Sequence, residues 1–431
     1  MFARATANVR QFSSRRSEEV AAARFFRNDK VSVEEILATA SALTGQACAG
    51  RHVLLIEDTS EINYEAKKGR KRGLGQVGNG TDVGLFVHPA LALDAQDGSI
   101  FGLGWVTLWQ RRKAKSPYYG SLPIEEKESH RWITTAQMAC QRLSQASLIT
   151  LIADREADIY ELFARLPDVR RQLIVRASSN RALADCDLHM LEVIGAEPQA
   201  GRISFEMQAR AGRPARTVTA AVKFVSVTIR KPKSNTSKDD PKAITLNLVQ
   251  VSEINPPSPE DAVEWNLLTT HDVASLADAL RIVECYRLRW TIEQLFRTTK
   301  SQGIDIEESF LRDSGSLEKL AAVALIIATK TMQLVHARGD HGHKYPAARV
   351  FVPEDLAVLV HIIAHLEGKT AKQKNPHPPK TLAWAAWGIA RLGGWKGYQS
   401  ERPPGPITFC RGLQRFSAMA DGFRIARDFQ T

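Results

Sequence analysis

The sequence has 431 residues, of which 44% are hydrophobic and 24% are charged, and its net charge is +11. This balance excludes a disordered or low-complexity chain, and the length predicts more than one structural unit. No apolar run reaches the roughly 18 residues of a membrane helix. The N-terminus has no apolar leader, and the five cysteines form no CxxC pair. We therefore expect a cytoplasmic protein without a membrane segment, a zinc ribbon or a disulfide framework.

The positive charge is concentrated at the two ends of the chain. Residues 1–30 have a net charge of +4 and residues 368–431 a net charge of +8, whereas the remainder sums to about −1. Basic ends concentrate positive potential where a polyanion such as nucleic acid binds. Basic tails that only aid solubility explain the charge equally well.

The first half of the chain predicts helices around two buried strands. Residues 17–49 are helical in pattern, and the apolar run 51–57 predicts a buried central strand that ends in acid at Asp58. A second such strand, 147–153, ends at Asp154. The other predicted elements are two strands of a meander, two helices and a strand: 83–93, 99–108, 133–143, 156–166 and 171–176.

The second half begins with a change in pattern. From about residue 181 to 265, alternating segments predict a β-rich insertion with a mobile hairpin tip at 231–242. One long helix is predicted over 275–300. The elements around it are a strand, an apolar helix, an exposed loop and a last helix: 265–269, 316–337, 368–380 and 381–392.

Two strands that end in aspartate and a helix that carries Glu293 could form an oxygen-ligand metal site. Mg²⁺ prefers a few carboxylates together with water and phosphate oxygens. Two such ions about 3.5–4 Å apart can assist an in-line phosphoryl displacement. Taken alone, Asp58 or Asp154 is better explained as an ordinary acidic residue beside a strand.

The helix around Glu293 makes the metal site the better interpretation. Tyr286, Arg289, Glu293 and Lys300 fall within a sector of roughly 60° on a continuous helix, and Arg297 widens it to about 80°. Cations beside a carboxylate suit a strand of phosphates lying across a metal site. The alternative is a solvated helix face with intrahelical salt bridges.

At these residues the sequence resembles a known family. The pattern Tyr286-x2-Arg289-x3-Glu293-x6-Lys300 resembles the Tyr-Arg-Glu-Lys signature of bacterial cut-and-paste transposases of the insertion-sequence-four family. The segment 154–159 resembles the surroundings of the family's second catalytic aspartate, and 57–60 those of the first. The segments 265–269, 275–289 and 389–394 are also similar.

The resemblance implies an α/β fold, a ribonuclease-H-like catalytic core whose mixed sheet is flanked by helices, with a β-rich insertion and helical N- and C-terminal parts. The implied regions are a shortened helical DNA-binding region, the first part of the core, the insertion, the second part of the core with the catalytic Glu helix, and a basic helical dimerisation region: 1–50, 51–180, 181–264, 265–345 and 346–431.

The resemblance also implies the roles of the site residues. Asp58, Asp154 and Glu293 would be the catalytic triad and bind two Mg²⁺ ions, for which Mn²⁺ could substitute. The DNA contacts would come from Tyr286, Arg289, Arg297, Lys300, Arg176 and Trp265. Trp265 would stack on a flipped base, or else be a core tryptophan, and Arg176 would approach the DNA strand, or else be a surface cation.

The implied reaction is DNA transposition. Water nicks the strand at the transposon end, the released 3′ hydroxyl forms a hairpin with the opposite strand, and the reopened end attacks target DNA. The implied partners are transposon-end DNA, target DNA and a second subunit, in a homodimeric synaptic complex joined through the C-terminal helices. No membrane and no nucleotide cofactor are expected, and the location would be the bacterial cytoplasm at the nucleoid.

The short segment before Asp58 departs from the family. Only 57 residues precede it, whereas the family has a longer helical region that reads the transposon end. A misassigned start, a decayed copy and a naturally shortened form stay open. The alternative functions are a shortened inhibitor-like form that binds DNA or dimerises without catalysis, and a structure-directed nuclease without strand transfer.

Overall fold

A single mixed β-sheet forms the frame of the protein. The computed structural model describes residues 5–9, 13, 15–111, 119, 122–207, 214–398 and 401–428. The strands found there are β1 (His52–Glu57), β2 (Ser60–Asn63), β3 (Gly75–Val77), β4 (Asp82–Asp94), β5 (Ile100–Trp109), β6 (Leu148–Ala153), β7 (Arg171–Arg176), β8 (Gly201–Met207), β9 (Arg216–Arg230), β10 (Ala243–Glu253) and β11 (Glu264–Thr269). They pair in the order β2-β4-β1-β6-β7-β11-β10-β9-β8, and β3 and β5 both join β4.

The centre of the sheet brings the two predicted aspartate-terminated strands side by side. β1 pairs in parallel with β6, from His52 opposite Leu148 to Ile56 opposite Ile152. β6 is in turn parallel to β7, while β1 is antiparallel to β4 on its other side. Because β1 and β6 run in the same direction, their carboxyl ends lie at one edge of the sheet, which we call the carboxyl edge.

Helices cover this sheet and also form the C-terminal part. They are α1 (Arg16–Arg27), α2 (Val33–Ala47), α3 (Arg131–Arg142), α4 (Tyr160–Arg165), α5 (Met190–Ala196), α6 (Leu276–Arg287), α7 (Thr291–Lys300), α8 (Ser314–His336), α9 (Pro353–Leu366), α10 (Leu382–Leu392) and α11 (Pro406–Asp428). α2, α3 and α8 pack against β5, and α9, α10 and α11 pack against one another. The predicted α/β class with a mixed sheet flanked by helices is confirmed.

A long apolar helix, α8, belongs to the core. α8 is long and apolar enough to cross a membrane, but 78% of its most apolar 18-residue window is buried inside the protein. It contacts α1, α2, α7 and α11 as well as β5. Burial on several sides explains why its sequence is apolar almost all round.

The β-rich insertion extends the central sheet. β11 pairs with β7 on one side and with β10 on the other, and β9 and β8 continue the ladder outward. The hairpin tip at 231–242 is tied to α4, although its polar composition predicts a mobile tip. Arg165 donates to both carboxylate oxygens of Asp240 at 2.8 and 3.0 Å, and the hydroxyl of Tyr160 donates to the carbonyl oxygen of Pro241 at 2.8 Å.

The prediction of one continuous helix over 275–300 is wrong. α6 ends at Arg287, a 3-10 turn spans Leu288–Trp290, and α7 follows. Each 3-10 residue turns the chain by about 120° instead of about 100°, so α7 is rotated by roughly 60° relative to a continuous helix. The turn contains neither Gly nor Pro, so no residue type in this segment indicated a break.

Candidate active site

Asp58 and Asp154 stand at the carboxyl edge, each directly after its strand. The backbone N–H of Thr59 donates to Oδ1 of Asp58 at 2.7 Å, and the N–H of Glu156 donates to Oδ1 of Asp154 at 2.9 Å. Both carboxylates are therefore held by the turn that ends the strand.

Arg289 links the first aspartate to the glutamate of α7. Its Nη1 donates to Oδ2 of Asp58 at 3.1 Å and its Nη2 to Oε1 of Glu293 at 3.2 Å. Arg289 is only 8% exposed, so these are partly buried charged pairs. The 3-10 turn places Arg289 where it reaches both carboxylates. Arg297 lies farther out, with Nη2 4.0 Å from Oε2 of Glu293.

The three carboxylates influence one another electrostatically. Burial, Asp154 and, to a smaller extent, Glu293 together raise the pKa of Asp58 to about 6, while Arg289 and the backbone N–H of Thr59 oppose the shift. A site that holds several acids close together and partly away from water favours an added cation. Asp154 and Glu293 are therefore close enough to Asp58 to act as one electrostatic group.

An aromatic and basic wall borders these acids. Burial raises the pKa of the Tyr286 hydroxyl, and the neighbouring guanidinium groups of Arg289 and Arg176 oppose that shift. Arg176 also donates to the carbonyl oxygen of Glu264 at 2.7 Å. Trp265 packs edge-on against Tyr286, with 5.6 Å between ring centroids. Lys300 ends α7, and no hydrogen bond or ion pair joins it to this group in the described residues.

Trp265 has a second aromatic neighbour that the sequence did not indicate. Phe205, from β8, stacks on it with ring centroids 5.4 Å apart and an interplanar angle of 17°. One face of the indole is thus covered. The partial alternation of more buried and more exposed residues along β8 is consistent with an inward-facing Phe205. Alternation alone does not show which inward-facing residue reaches the site.

The predicted metal ligands fit a divalent cation in their chemistry. Carboxylate oxygens are the ligands that Mg²⁺ and Mn²⁺ prefer. Within the residues that the structure describes, no three His, Cys, Asp or Glu side chains are grouped closely enough to hold a metal ion. Arg289 balances the charge of Asp58 and Glu293 instead, so a cation held by the triad would compete with this guanidinium.

A buried polar pair behind Asp58 was missed by sequence reasoning. Nε2 of His88 lies 3.2 Å from Oε2 of Glu57, and both side chains are fully buried. Burial raises the pKa of Glu57 well above its usual value and lowers that of His88 well below, so burial favours the neutral form of each group. The sequence contained a signal for this pair, namely an acid and a histidine inside otherwise apolar strands. Such groups stay buried only when each has a partner.

A strongly basic cavity lies apart from the carboxylates. It has a volume of about 590 Å³ and opens between α1, the turn 65–71 and residues 309–312. Seven cationic side chains and one acid, Glu19, line it: Arg16, Arg24, Arg27, Lys67, Arg70, Lys71 and Arg312. Burial lowers the pKa of Lys71 to about 8. Part of the basic segment 67–72 therefore lines a basic cavity.

Residues 127–329 match a family model described as a transposase DDE domain. The matched segment contains Asp154, Tyr286, Arg289 and Glu293, and Asp58 precedes it. Together with the mixed sheet flanked by helices, the match identifies the fold as a ribonuclease-H-like core. It supports a DDE transposase, a class of enzymes that cleave DNA, transfer DNA strands and generally use divalent metal ions.

Proposed function

We propose that this chain is the transposase of an insertion sequence, which cuts DNA at the transposon ends through a hairpin intermediate and joins the ends to target DNA. The observation that supports it best is the meeting of Asp58, Asp154 and Glu293 around Arg289, in a chain that matches the transposase DDE domain. The finer assignment to the insertion-sequence-four family rests on the Tyr286 to Lys300 signature.

The triad would hold two Mg²⁺ ions, with Mn²⁺ as a substitute. When bound, such ions activate the attacking oxygen and stabilise the leaving oxygen of a phosphoryl displacement. The chain's own residues would align the DNA strand. Asp58 and Asp154 are fixed by their backbone contacts at the ends of two strands, and Glu293 approaches from a separate helix, so the acids would face the reacting phosphate from three elements.

Arg289 is suited to bind a DNA phosphate. Its Nε is buried and has no hydrogen-bond partner within the described part of the chain. A phosphate that accepts from Nε and Nη would be held bidentately, the geometry that a guanidinium favours. Such a phosphate would also draw the guanidinium away from Asp58 and Glu293 and leave their oxygens available. Tyr286, Arg176, Arg297 and Lys300 would contact neighbouring phosphates.

The basic cavity supports binding of a longer stretch of DNA. Phosphate contacts supply most of the affinity of nucleic-acid binding, and they need cations that are not already neutralised. Of the seven cationic side chains in the cavity lining, Arg16 pairs with Glu19 and Lys67 with Glu308, so the lining keeps a clear excess of positive charge. DNA bound there and at the carboxyl edge would contact residues from both halves of the chain.

Two further features support the finer parts of the proposal. Trp265 would receive the extruded base of the hairpin step on the indole face that Phe205 leaves uncovered. The dimer would form through the C-terminal helices, because α11 exposes four large apolar side chains: Ile407, Met419, Phe423 and Ile425. Such exposed apolar groups on one helix are typical of an interaction surface.

A cleavage assay tests the proposal. The purified chain is incubated with Mg²⁺ or Mn²⁺ and a linear DNA that carries the flanking repeats of its genomic locus. We expect a nick at the repeat boundary and then a hairpin, resolved on a denaturing gel. Glu293→Gln should give neither product, whereas Glu284→Gln, which alters an exposed acid paired with Arg287 on α6, should behave as wild type.

The remaining outcomes each contradict the proposal in a different way. Binding without cleavage would indicate the inhibitor-like form. Nicking at branched DNA without a hairpin or strand transfer would indicate a structure-directed nuclease. Cleavage that survives Glu293→Gln would place the active site elsewhere.

A further inference from the structure

Arg131, the first residue of α3, connects the two segments that follow β1 and β6. We propose that Arg131 is a positioning residue that fixes the spacing between Asp58 and Asp154, and therefore the affinity of their site for divalent metal. The inference rests on the proposed function, because it assigns a role relative to the same carboxylates. Arg131 itself touches neither of them in the hydrogen bonds described below.

The guanidinium of Arg131 bonds three separate segments. Nε donates to Oγ1 of Thr59 at 3.0 Å, Nη2 to Oε2 of Glu156 at 2.6 Å, and Nη1 to the carbonyl oxygen of Glu128 at 2.9 Å. Thr59 is adjacent to Asp58, and Glu156 is two residues beyond Asp154. One side chain thus joins the turn after β1 to the turn after β6.

This connection lies just beyond the point where the sheet stops fixing the chain. The parallel pairing of β1 with β6 extends to Ile56 opposite Ile152, so both aspartates lie outside the ladder. Backbone hydrogen bonds between the strands therefore do not set the distance between the two carboxylates. A side-chain link between the two turns can set this distance. The link loses little conformational entropy, because the guanidinium is itself held rigidly.

Aromatic rings hold the guanidinium in place. Its central carbon lies 5.2 Å from the ring centroid of Trp109 and 5.5 Å from that of Trp132, which is fully buried. The side chain of Arg131 is only 12% exposed. With three nitrogens engaged inside the protein, it has little capacity left for a DNA phosphate. A lysine has no planar fork and could not make all three bonds in this geometry.

The same residue joins a buried hydrogen-bond chain around Asp58. Nε of Arg131 donates to Oγ1 of Thr59, and that oxygen lies 2.9 Å from Nδ1 of His88. Nε2 of His88 in turn lies 3.2 Å from Oε2 of Glu57. The residues on both sides of Asp58, Glu57 and Thr59, are thus fixed by one chain that begins at Arg131.

The first test is metal binding, measured without catalysis. Binding of Mn²⁺ to the full-length chain is followed by the loss of the free-ion electron paramagnetic resonance signal. For Arg131→Lys and Arg131→Ala we expect an affinity roughly 10-fold or more below wild type, the usual effect of removing an outer-shell partner. Arg142→Ala is the matched control, since Arg142 lies on the same helix and packs on Trp105 away from the acids.

Two further measurements separate positioning from other roles. The DNA dissociation constant and its salt dependence should stay within about 2-fold of wild type in Arg131→Lys, because no phosphate contact is lost. Circular dichroism confirms that the variant is folded. Thr59→Val and Glu156→Gln should combine non-additively in their effect on Mn²⁺ affinity when Arg131 is present, and additively in the Arg131→Lys background.

The outcomes distinguish this inference from the proposed function. Unchanged Mn²⁺ affinity in a folded Arg131→Lys chain overturns the positioning role. A lower salt dependence of DNA binding makes Arg131 a phosphate contact and overturns it as well. If wild type and Asp58→Asn bind Mn²⁺ alike, the metal site itself is wrong, and both proposals fail.

Discussion

The two ends of the parallel strands β1 and β6 both contain buried polar groups, but of opposite character. At the carboxyl edge, Asp58 and Glu293 share the cation Arg289. At the opposite end, Oγ1 of Thr150 lies 2.8 Å from Nε2 of His52 and 2.8 Å from Nε2 of His271. Burial lowers the pKa of both histidines, that of His271 to about 4, so this cluster is neutral at pH 7.

The difference shows which charge state burial favours at each end of the strands. A buried charge persists where an opposite charge compensates it, and otherwise the group loses its charge. At the carboxyl edge, Arg289 compensates the charge of Asp58 and Glu293, and another cation could take its place. In the histidine cluster, one hydroxyl bonds both rings, and there is no charge that a ligand could compensate. We therefore expect ligand-dependent behaviour at the first end and only effects on stability at the second.

The largest expected effect is the loss of catalysis in Glu293→Gln. Removal of one carboxylate from the triad should lower the cleavage rate by about three orders of magnitude or more, on the scale of losing a principal catalytic group. DNA affinity should change less than about 3-fold. Single-turnover cleavage and filter binding on the same preparation test both expectations, and a parallel loss of binding would contradict the division of roles.

The next effect is a loss of stability in acid, caused by the histidine cluster. His271 has a pKa of about 4 when folded and an ordinary value of 6.5. Between these values the unfolded chain binds a proton that the folded chain does not, so stability falls as the pH decreases from 6.5 to 4. We expect a loss of about 2 kcal/mol, since solvent screens part of the ring.

Urea unfolding at pH 7 and pH 4.5 measures this loss, with His271→Gln as the comparison. The amide of glutamine can still bond Thr150 but does not titrate in this range, so the variant should lose less stability over the same interval. Equal losses in the two proteins would show that another group is responsible.

A smaller effect is expected for Arg289→Ala. DNA affinity should fall about tenfold at low salt, and the slope of log affinity against log salt should decrease by about one unit, since one phosphate contact is lost. Without DNA, Mn²⁺ should bind more tightly than to wild type, because the competing guanidinium is gone. Arg287→Ala, which alters an exposed ion pair with Glu284, is the control.

The smallest expected effect is that of Thr150→Val, which keeps the shape of the side chain and removes the hydroxyl between His52 and His271. Leaving these ring nitrogens without their partner should cost about 1–2 kcal/mol of unfolding free energy. Mn²⁺ affinity and cleavage should not change. A loss of cleavage in a chain that is still folded would mean that the two strand ends are coupled.

The sequence predicted the parts of the fold that depend on local pattern. The apolar runs ending at Asp58 and Asp154 appear as β1 and β6, and the strand predicted over 171–176 is β7 with those bounds. Three helices were missed. α5 lies within the segment that was predicted to be β-rich. α9 is apolar on several faces, and α11 exposes apolar side chains such as Phe423, so neither of these two has the one-sided pattern that marks a surface helix.

The sequence indicated which residues belong to the candidate site, but it did not indicate the contacts between them. Asp58, Asp154 and Glu293 each had a local signal, either the end of a strand or a charged helix. The bond from Arg289 to Asp58 joins residues 231 positions apart, and no local pattern encodes it. The break at Leu288–Trp290, on which that bond depends, is likewise set by tertiary contacts. The link through Arg131 was missed for the same reason.

The path of the chain through the sheet has a consequence for synthesis on the ribosome. β7 ends at Arg176, and its next neighbour in the sheet, β11, begins at Glu264. The segments that form β8, β9 and β10 must all be translated before β11 can pair with β7, and long-range pairing of this kind is slow. Glu293 emerges later still. The nascent chain therefore already has both aspartates while it lacks Glu293, so under the proposed function a partly translated chain cannot yet cleave DNA.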